Sequence, residues 1–187
     1  MVPKTCNDPN FSLFVEDLNI PYKKKIMKQL YSTIFVLALF LSISINVKAQ
    51  QPKSLVWFLD YQQVTKFAED ENKPILLFFQ GSDWCEQGKE LQRDVFDNEQ
   101  FVLYAAKRIL CLYVDFPYKN KLSDEQNSHN NKLKKEFNIP ADYEKGFPTI
   151  VIVSKSGKVL LHETGYNGQG PQSLIDKINL ILKNIDN

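Results

Sequence analysis

Cysteine and histidine are scarce in this chain. Among 187 residues there are three cysteines, Cys6, Cys85 and Cys111, and two histidines, His129 and His162. Three cysteines are too few for a disulfide scaffold, and no spacing among them matches a zinc site. Both histidines lie far in sequence from any cysteine, so no metal site is expected. An excess of charge is missing too. The 23 Lys and Arg against 22 Asp and Glu leave a formal net charge of +1. That supplies no electrostatic reason for a nucleic-acid partner. A bilayer-spanning helix needs about 20 apolar residues. The candidate run, residues 34–45, is shorter and contains Ser42 and Ser44. Internal repeats and low-complexity tracts are lacking. What remains is ordinary: 43% hydrophobic and 24% charged residues describe a globular chain with room for one domain and an appended segment.

The apolar run at 34–45 follows Lys23, Lys24, Lys25 and Lys28 and precedes Val47-Lys48-Ala49. A positive stretch, a short apolar stretch and an A-x-A-like site describe an export signal. Cleavage is expected after Ala49, leaving Gln50 as the mature N-terminus and no stable membrane anchor. No cysteine stands at the cleavage point, which disfavours a lipoprotein. Residues 1–26 delay the signal and include Asp8, Glu16 and Asp17, so Met27 is the expected translation start. Residues 1–49 are thus read as an upstream segment plus signal peptide, and 50–187 as the folded domain. The expected destination is the periplasm or the medium. Cys6 is then lost, and Cys85 and Cys111 reside in an oxidising compartment.

In the mature chain, Leu55-Val56-Trp57-Phe58 suggests a short edge strand. Tyr61, Val64, Phe67 and Ala68 recur at helical spacing as far as residue 72. Lys73-Pro74 is expected to stop that helix, because the residue before proline avoids the α region. Residues 75–79 read as a buried strand. Leu91 and Val95 give the next helix an apolar stripe, and a second short helix is expected over residues 98–107. Residues 109–114 read as a central strand buried on both faces, with Cys111 inside it as a small hydrophobe. Residues 120–129 are expected to be a solvated connection, and 127–137 a helix turning Leu133, Phe137 and Ile139 inward. Residues 149–153 and 158–162 flank Ser154-Lys155-Ser156-Gly157 as a β-hairpin, with His162 at a strand end, solvated or structurally bonded. Leu174, Ile178, Ile181, Leu182 and Ile185 close the chain as an amphipathic helix. The fold class is α/β, a central mixed β-sheet flanked by helices on both faces.

One stretch organises the rest: Phe78-Phe79-Gln80-Gly81-Ser82-Asp83-Trp84-Cys85-Glu86-Gln87-Gly88-Lys89. The strand breaks at Gly81-Ser82-Asp83 and a helix begins near Cys85. A cysteine at a helix's first turn meets aligned backbone N–H groups and the positive end of the dipole, which favour thiolate over thiol. Glu86 acts against this and Lys89 with it. An exposed, reactive Cys85 is expected.

Trp84-Cys85 after a strand, together with Gly146-Phe147-Pro148-Thr149 before the hairpin, resembles the thioredoxin-fold superfamily. More narrowly, the chain resembles exported bacterial proteins with a Gly-Ser-Asp-Trp-Cys-x-x-Cys motif, related to thiol:disulfide interchange proteins. The resemblance covers nearly the whole mature chain and implies a thioredoxin fold with Cys85 as nucleophile. It implies Trp84, Gly88 and Lys89 as supporting residues, a cis Pro148, and a substrate-binding edge at Phe147, Pro148 and Thr149. No cofactor and no metal are expected. Two departures bear on activity. Gly88 stands where the second motif cysteine would be. Phe78 and Phe79 occupy the positions of a buried carboxylate that many thioredoxins use as proton acceptor. Three functions follow: single-thiol disulfide exchange by Cys85 with cysteine-containing proteins or small thiols such as glutathione, non-catalytic binding of proteins in the groove beside Pro148, or a degenerate domain with Cys85 as remnant.

Overall fold

The computed structural model describes residues 27–33 and 52–185. The chain falls into two units, Met1–Ala49 and Gln50–Asn187. In the first, residues 27–33 are helical and exposed. The apolar stretch at 34–45 read as an export signal, the cleavage expected after Ala49 and Cys6 lie outside the described residues. Among those described, no helix is long and apolar enough to cross a membrane.

The second unit is built on a five-stranded sheet: β1 (Trp57–Phe58), β2 (Ile75–Gln80), β3 (Leu110–Asp115), β4 (Thr149–Val153) and β5 (Val159–Thr164), in the order β1-β3-β2-β4-β5. β3 runs parallel to β1 and β2, whereas β4 is antiparallel to β2 and β5. This is the mixed sheet expected. Every residue of β2 is buried. With a side-chain period of two, Ile75, Leu77 and Phe79 enter one core, and Leu76 and Phe78 the other. The adjacent phenylalanines therefore serve opposite faces. The Phe79 ring meets Phe137 at 6.2 Å, while that of Phe78 meets Phe96 at 4.7 Å.

Helices cover both faces. α1 (Tyr61–Glu71) and α4 (Asp124–Glu136) supply Val64, Ala68 and Leu133 to the first core. The second is covered by α2 (Glu86–Leu91), a π-helical turn (Gln92–Phe96), α3 (Glu99–Arg108) and α6 (Gly170–Ile185). A short α5 (Tyr143–Gly146) precedes β4. Leu91, Val95, Phe101, Leu174 and Ile178 are among the buried apolar positions of that second layer.

Three local expectations are corrected. Helix α1 is stopped by Asn72, which adopts a left-handed conformation (φ 53°) and donates back to Ala68 and Glu69. Such a cap satisfies orphan carbonyls directly, and Pro74 lies beyond it. Helix α4 begins at Asp124, so residues 124–129 are helical rather than a connection, while none of them is buried. Its start is chemical: Ser123 accepts the Gln126 N–H, and Asp124 and Glu125 occupy the first turn, where carboxylates favour the dipole. Its few apolar residues hid that start from a periodicity argument. His162 lies within β5 rather than at a strand end, with Nε2 3.2 Å from the Phe137 carbonyl oxygen.

Candidate functional site

Strand β2 ends at Gln80 and the chain turns through residues 81–84 into α2. Each residue of the turn is held. A Cβ at Gly81 would run into the Trp84 indole, so only glycine lets the ring lie there. Ser82 donates its N–H and its hydroxyl to the Asp115 carboxylate at 2.9 and 2.6 Å. The Asp83 carboxylate accepts the N–H groups of Tyr118, Lys119 and Asn120 at 2.9, 2.6 and 3.3 Å. Those bonds hold its pKa below the usual carboxylate value. Trp84 Nε1 donates to the Phe116 carbonyl at 2.7 Å. The turn is thus fastened to the end of β3 and the segment after it.

Cys85 caps α2 with extended backbone (φ −85°, ψ 101°), and its carbonyl accepts the Lys89 N–H at 3.1 Å. The Phe147–Pro148 peptide is cis. Cys85 and Phe147 belong to the same buried cluster, with Trp84 packed against it. Trp84 meets the Phe147 ring edge-on at 5.4 Å and the Tyr118 ring at 5.4 Å. Phe116 completes the wall, 5.3 Å from Phe147. The Lys134 ammonium stands 5.3 and 5.2 Å from the Phe116 and Phe147 ring centroids, within cation–π range. Thr149 is wholly buried; its hydroxyl donates to the Gly146 carbonyl and bonds with Thr164. The Pro148 carbonyl accepts the Gly165 N–H at 2.8 Å. On the other side of α2, a cleft of about 530 Å³ is lined by Gln87, Leu91, Glu163, Tyr166, Gln169 and Lys177. Among the described residues, no group of three or more His, Cys, Asp or Glu converges to hold a metal ion.

These features, a β-sheet of this order, a cysteine heading the helix that follows β2 and a cis-proline ahead of β4, coincide with a family match. Residues 61–178 fit the model of the thioredoxin-like domain. The chain belongs to the thioredoxin-like family. Among the family's named proteins, it is similar to the disulfide bond reductase DsbH of Chlamydia pneumoniae. The identity is 31% over 123 residues, 66% of this chain and 70% of that protein. The thioredoxin-related protein DsbJ of Chlamydia pneumoniae is 23% identical over 130 residues, 70% of this chain. The chain spans only 36% of the length of DsbJ. Among solved structures, a DsbH oxidoreductase superposes with a TM-score of 0.64 at 28% identity, covering 75% of this chain and 92% of that one. A thioredoxin from Thermus thermophilus shares the fold, with a TM-score of 0.51 at 14% identity over 69% of this chain and 88% of that one.

Within this thioredoxin-like site, two expectations about Cys85 change. The residue is buried, 7% exposed, rather than exposed. Its thiol is raised above the ordinary value rather than lowered. Burial is the main cause and Glu86 adds to it, while the N–H groups of Gly88 and Gly81 and the Lys89 charge pull the other way. Lys89 is itself engaged, its ammonium 2.6 Å from Glu86, so the two charges largely offset each other at the sulfur.

Sequence reasoning missed Gln80. Its side chain is 4% exposed, its Nε2 donates to the Tyr113 hydroxyl at 2.7 Å, and its Oε1 has no partner. That oxygen points beneath the first turn of α2. A Cβ at Gly88 would sit 2.8 Å from Gln80 Oε1 and 3.4 Å from Cys85 Sγ. Glycine inside a helix costs about 1 kcal/mol relative to alanine; here it leaves room for Gln80. The available signal was one polar residue ending an otherwise apolar strand. Asp83, Tyr118 and Lys134 were missed as well, because their partners lie far along the chain.

Proposed function

We propose that the mature chain exchanges disulfides through Cys85 as its single nucleophile, in the reducing direction. The observation that carries the reading is the placement of the two described thiols. Cys85 heads α2 and belongs to the buried cluster that includes Phe147, whereas Cys111 belongs to the core on the opposite side of the sheet. A disulfide needs Cα atoms within about 7 Å and converging Cβ vectors, so Cys111 does not serve as the resolving thiol. Cys85 attacks one sulfur of a substrate disulfide; that S–S bond breaks, a Cys85–sulfur bond forms, and the other substrate sulfur leaves as a thiol carrying the proton. A small thiol such as glutathione then attacks the mixed disulfide and releases the second substrate thiol. A second molecule frees Cys85, so two small thiols become one disulfide per substrate bond reduced.

The raised Cys85 thiol supports the direction. Strong oxidants of this fold stabilise their reduced, thiolate form, and the better leaving thiol is the one of lower pKa. Destabilising the Cys85 thiolate does the reverse and favours handing electrons to the substrate. The similarity to a protein named as a disulfide bond reductase agrees. Substrates are cysteine-containing proteins that lie along the Phe147–Pro148 edge, beside Trp84. The chain works outside the cytoplasm, in the periplasm or medium, as residues 50–187 after removal of the signal.

The test is a non-reducing gel of exported protein, alkylated before lysis, with the same material weighed intact to read its N-terminus. Native protein should carry long-lived mixed disulfides, Cys85→Ser should carry none, and the mass should begin at Gln50. Adducts that persist in Cys85→Ser, or their absence from the native protein under oxidising load, would overturn the exchange reading and leave non-covalent binding at the Pro148 groove.

A further inference from the structure

We infer that Gln80 is a positioning residue that holds this site in its single-thiol form, by filling the space a second motif thiol would need. The turn itself is ready for two thiols. Gly88 has no left-handed backbone requirement, and its Cβ position lies 3.4 Å from Cys85 Sγ, close to the approach a disulfide between the two positions demands. What opposes a side chain there is Gln80, whose Oε1 is 2.8 Å from the same point and whose Cδ is at 3.5 Å.

The amide is poorly placed to step aside. It is buried at the end of β2, tethered by Nε2 to the Tyr113 hydroxyl at 2.7 Å, and Tyr113 sits in β3 directly across from Phe78. Whichever end of the amide faces Gly88, the volume is taken. The oxygen there is an orphaned buried acceptor. A native structure tolerates such a group where something else needs its position. Gln80 and Gly88 therefore form a complementary pair: a large polar residue below and no side chain above. The block gains its functional meaning from the single-thiol reading of Cys85, although its geometry stands apart from it.

The experiment returns a thiol at position 88 with and without the block. Purified Gly88→Cys and Gln80→Ala/Gly88→Cys proteins are equilibrated with mixtures of oxidised and reduced glutathione, then alkylated and weighed. Oxidised glutathione first forms a mixed disulfide on Cys85. The introduced thiol attacks Cys85 Sγ, the bond to glutathione breaks, and the internal disulfide forms. In total one oxidised glutathione becomes two reduced ones. The internal bond should form about ten- to a hundredfold less favourably in Gly88→Cys than in the double variant, the range that overpacking a buried site produces. Gln80→Ser/Gly88→Cys serves as a second double variant should the alanine version fail to fold. Equal equilibrium constants in the single and double variants would overturn the inference. So would absence of the internal bond in every folded background, since the turn would then not be set for a second thiol. The readout is a bond within one chain, so it is decided separately from whether native Cys85 forms adducts with substrates.

Discussion

Cys85 and Cys111 are both scarcely exposed, 7% and 3%, but Cys111 lies deeper in the protein, and burial raises both thiols. Around Cys111 nothing else acts. It sits mid-strand in β3, in register with Trp57 and Leu76, and burial alone pushes its thiol up to about 12. Around Cys85 four other influences bear on the sulfur: the N–H groups of Gly88 and Gly81 and the charges of Glu86 and Lys89. The difference teaches that low solvent exposure alone does not separate the cysteine proposed as nucleophile from the packing one. Backbone donors at a helix start, and a wall of aromatic side chains held by Asp83 and Trp84, set Cys85 apart.

The largest test of this contrast is alkylation of the folded protein near neutral pH. Cys85 needs only local opening at the first turn of α2, whereas Cys111 needs the sheet to open, which costs close to the full stability. Mass spectrometry of partially labelled protein should show Cys85 labelled at least about a thousandfold faster. Comparable rates would erase the distinction.

A smaller effect is expected in alkaline stability. The Cys111 thiol is raised to about 12 in the folded protein from an ordinary 9.0. Folding therefore favours the protonated thiol. Its contribution is fully present below about pH 9 and is lost as pH rises toward 12, because the unfolded chain sheds that proton first. Unfolding free energies from urea titrations between about pH 8 and pH 11 should fall with a Cys111-dependent slope that approaches about 1.4 kcal/mol per pH unit above about pH 9. Cys111→Ala should flatten that slope. Cys85→Ala should flatten it less, since Cys85 has backbone donors that offset burial. Identical slopes in the two variants would mean that their surroundings do not differ in the way described.

The smallest expected effect lies at the Glu86–Lys89 pair, 2.6 Å apart on exposed side chains. Glu86→Gln removes a charge that raises the Cys85 thiol and releases Lys89, so the pH midpoint of Cys85 alkylation should move down. Lys89→Gln releases Glu86 and should move it up. Both shifts should shrink as ionic strength rises, because exposed charges are screened. Shifts of the same sign in the two variants would contradict the assignment of opposing charges.

Much of the molecule is written locally in its sequence. The apolar β-prone runs of β2, β3 and β4, the turn after Val153 and the 3.6-residue periodicities of α1 and α6 are short-range patterns, and each forms where its pattern stands. Trp84-Cys85 at the end of β2 and Phe147-Pro148 ahead of β4 were legible for the same reason: strand ends and helix starts are marked by neighbouring residues. The early start of α4 was legible in principle, through Ser123 and the acidic residues after it, but capping is a weaker signal than hydrophobic periodicity. Other features depended on atoms brought together from distant parts of the chain. Burial of Cys85, and hence the direction of its thiol, comes from a cluster gathered from distant segments, Phe147 among them. Asp83 found its donors at 118–120, Gln80 its partner at Tyr113, and the assignment of Cys85 and Cys111 to opposite faces of the sheet required the strand order. Desolvation and steric fit are sums over spatial neighbours, so tertiary structure alone decided that the Cys85 thiol is raised and that position 88 has little room for a side chain.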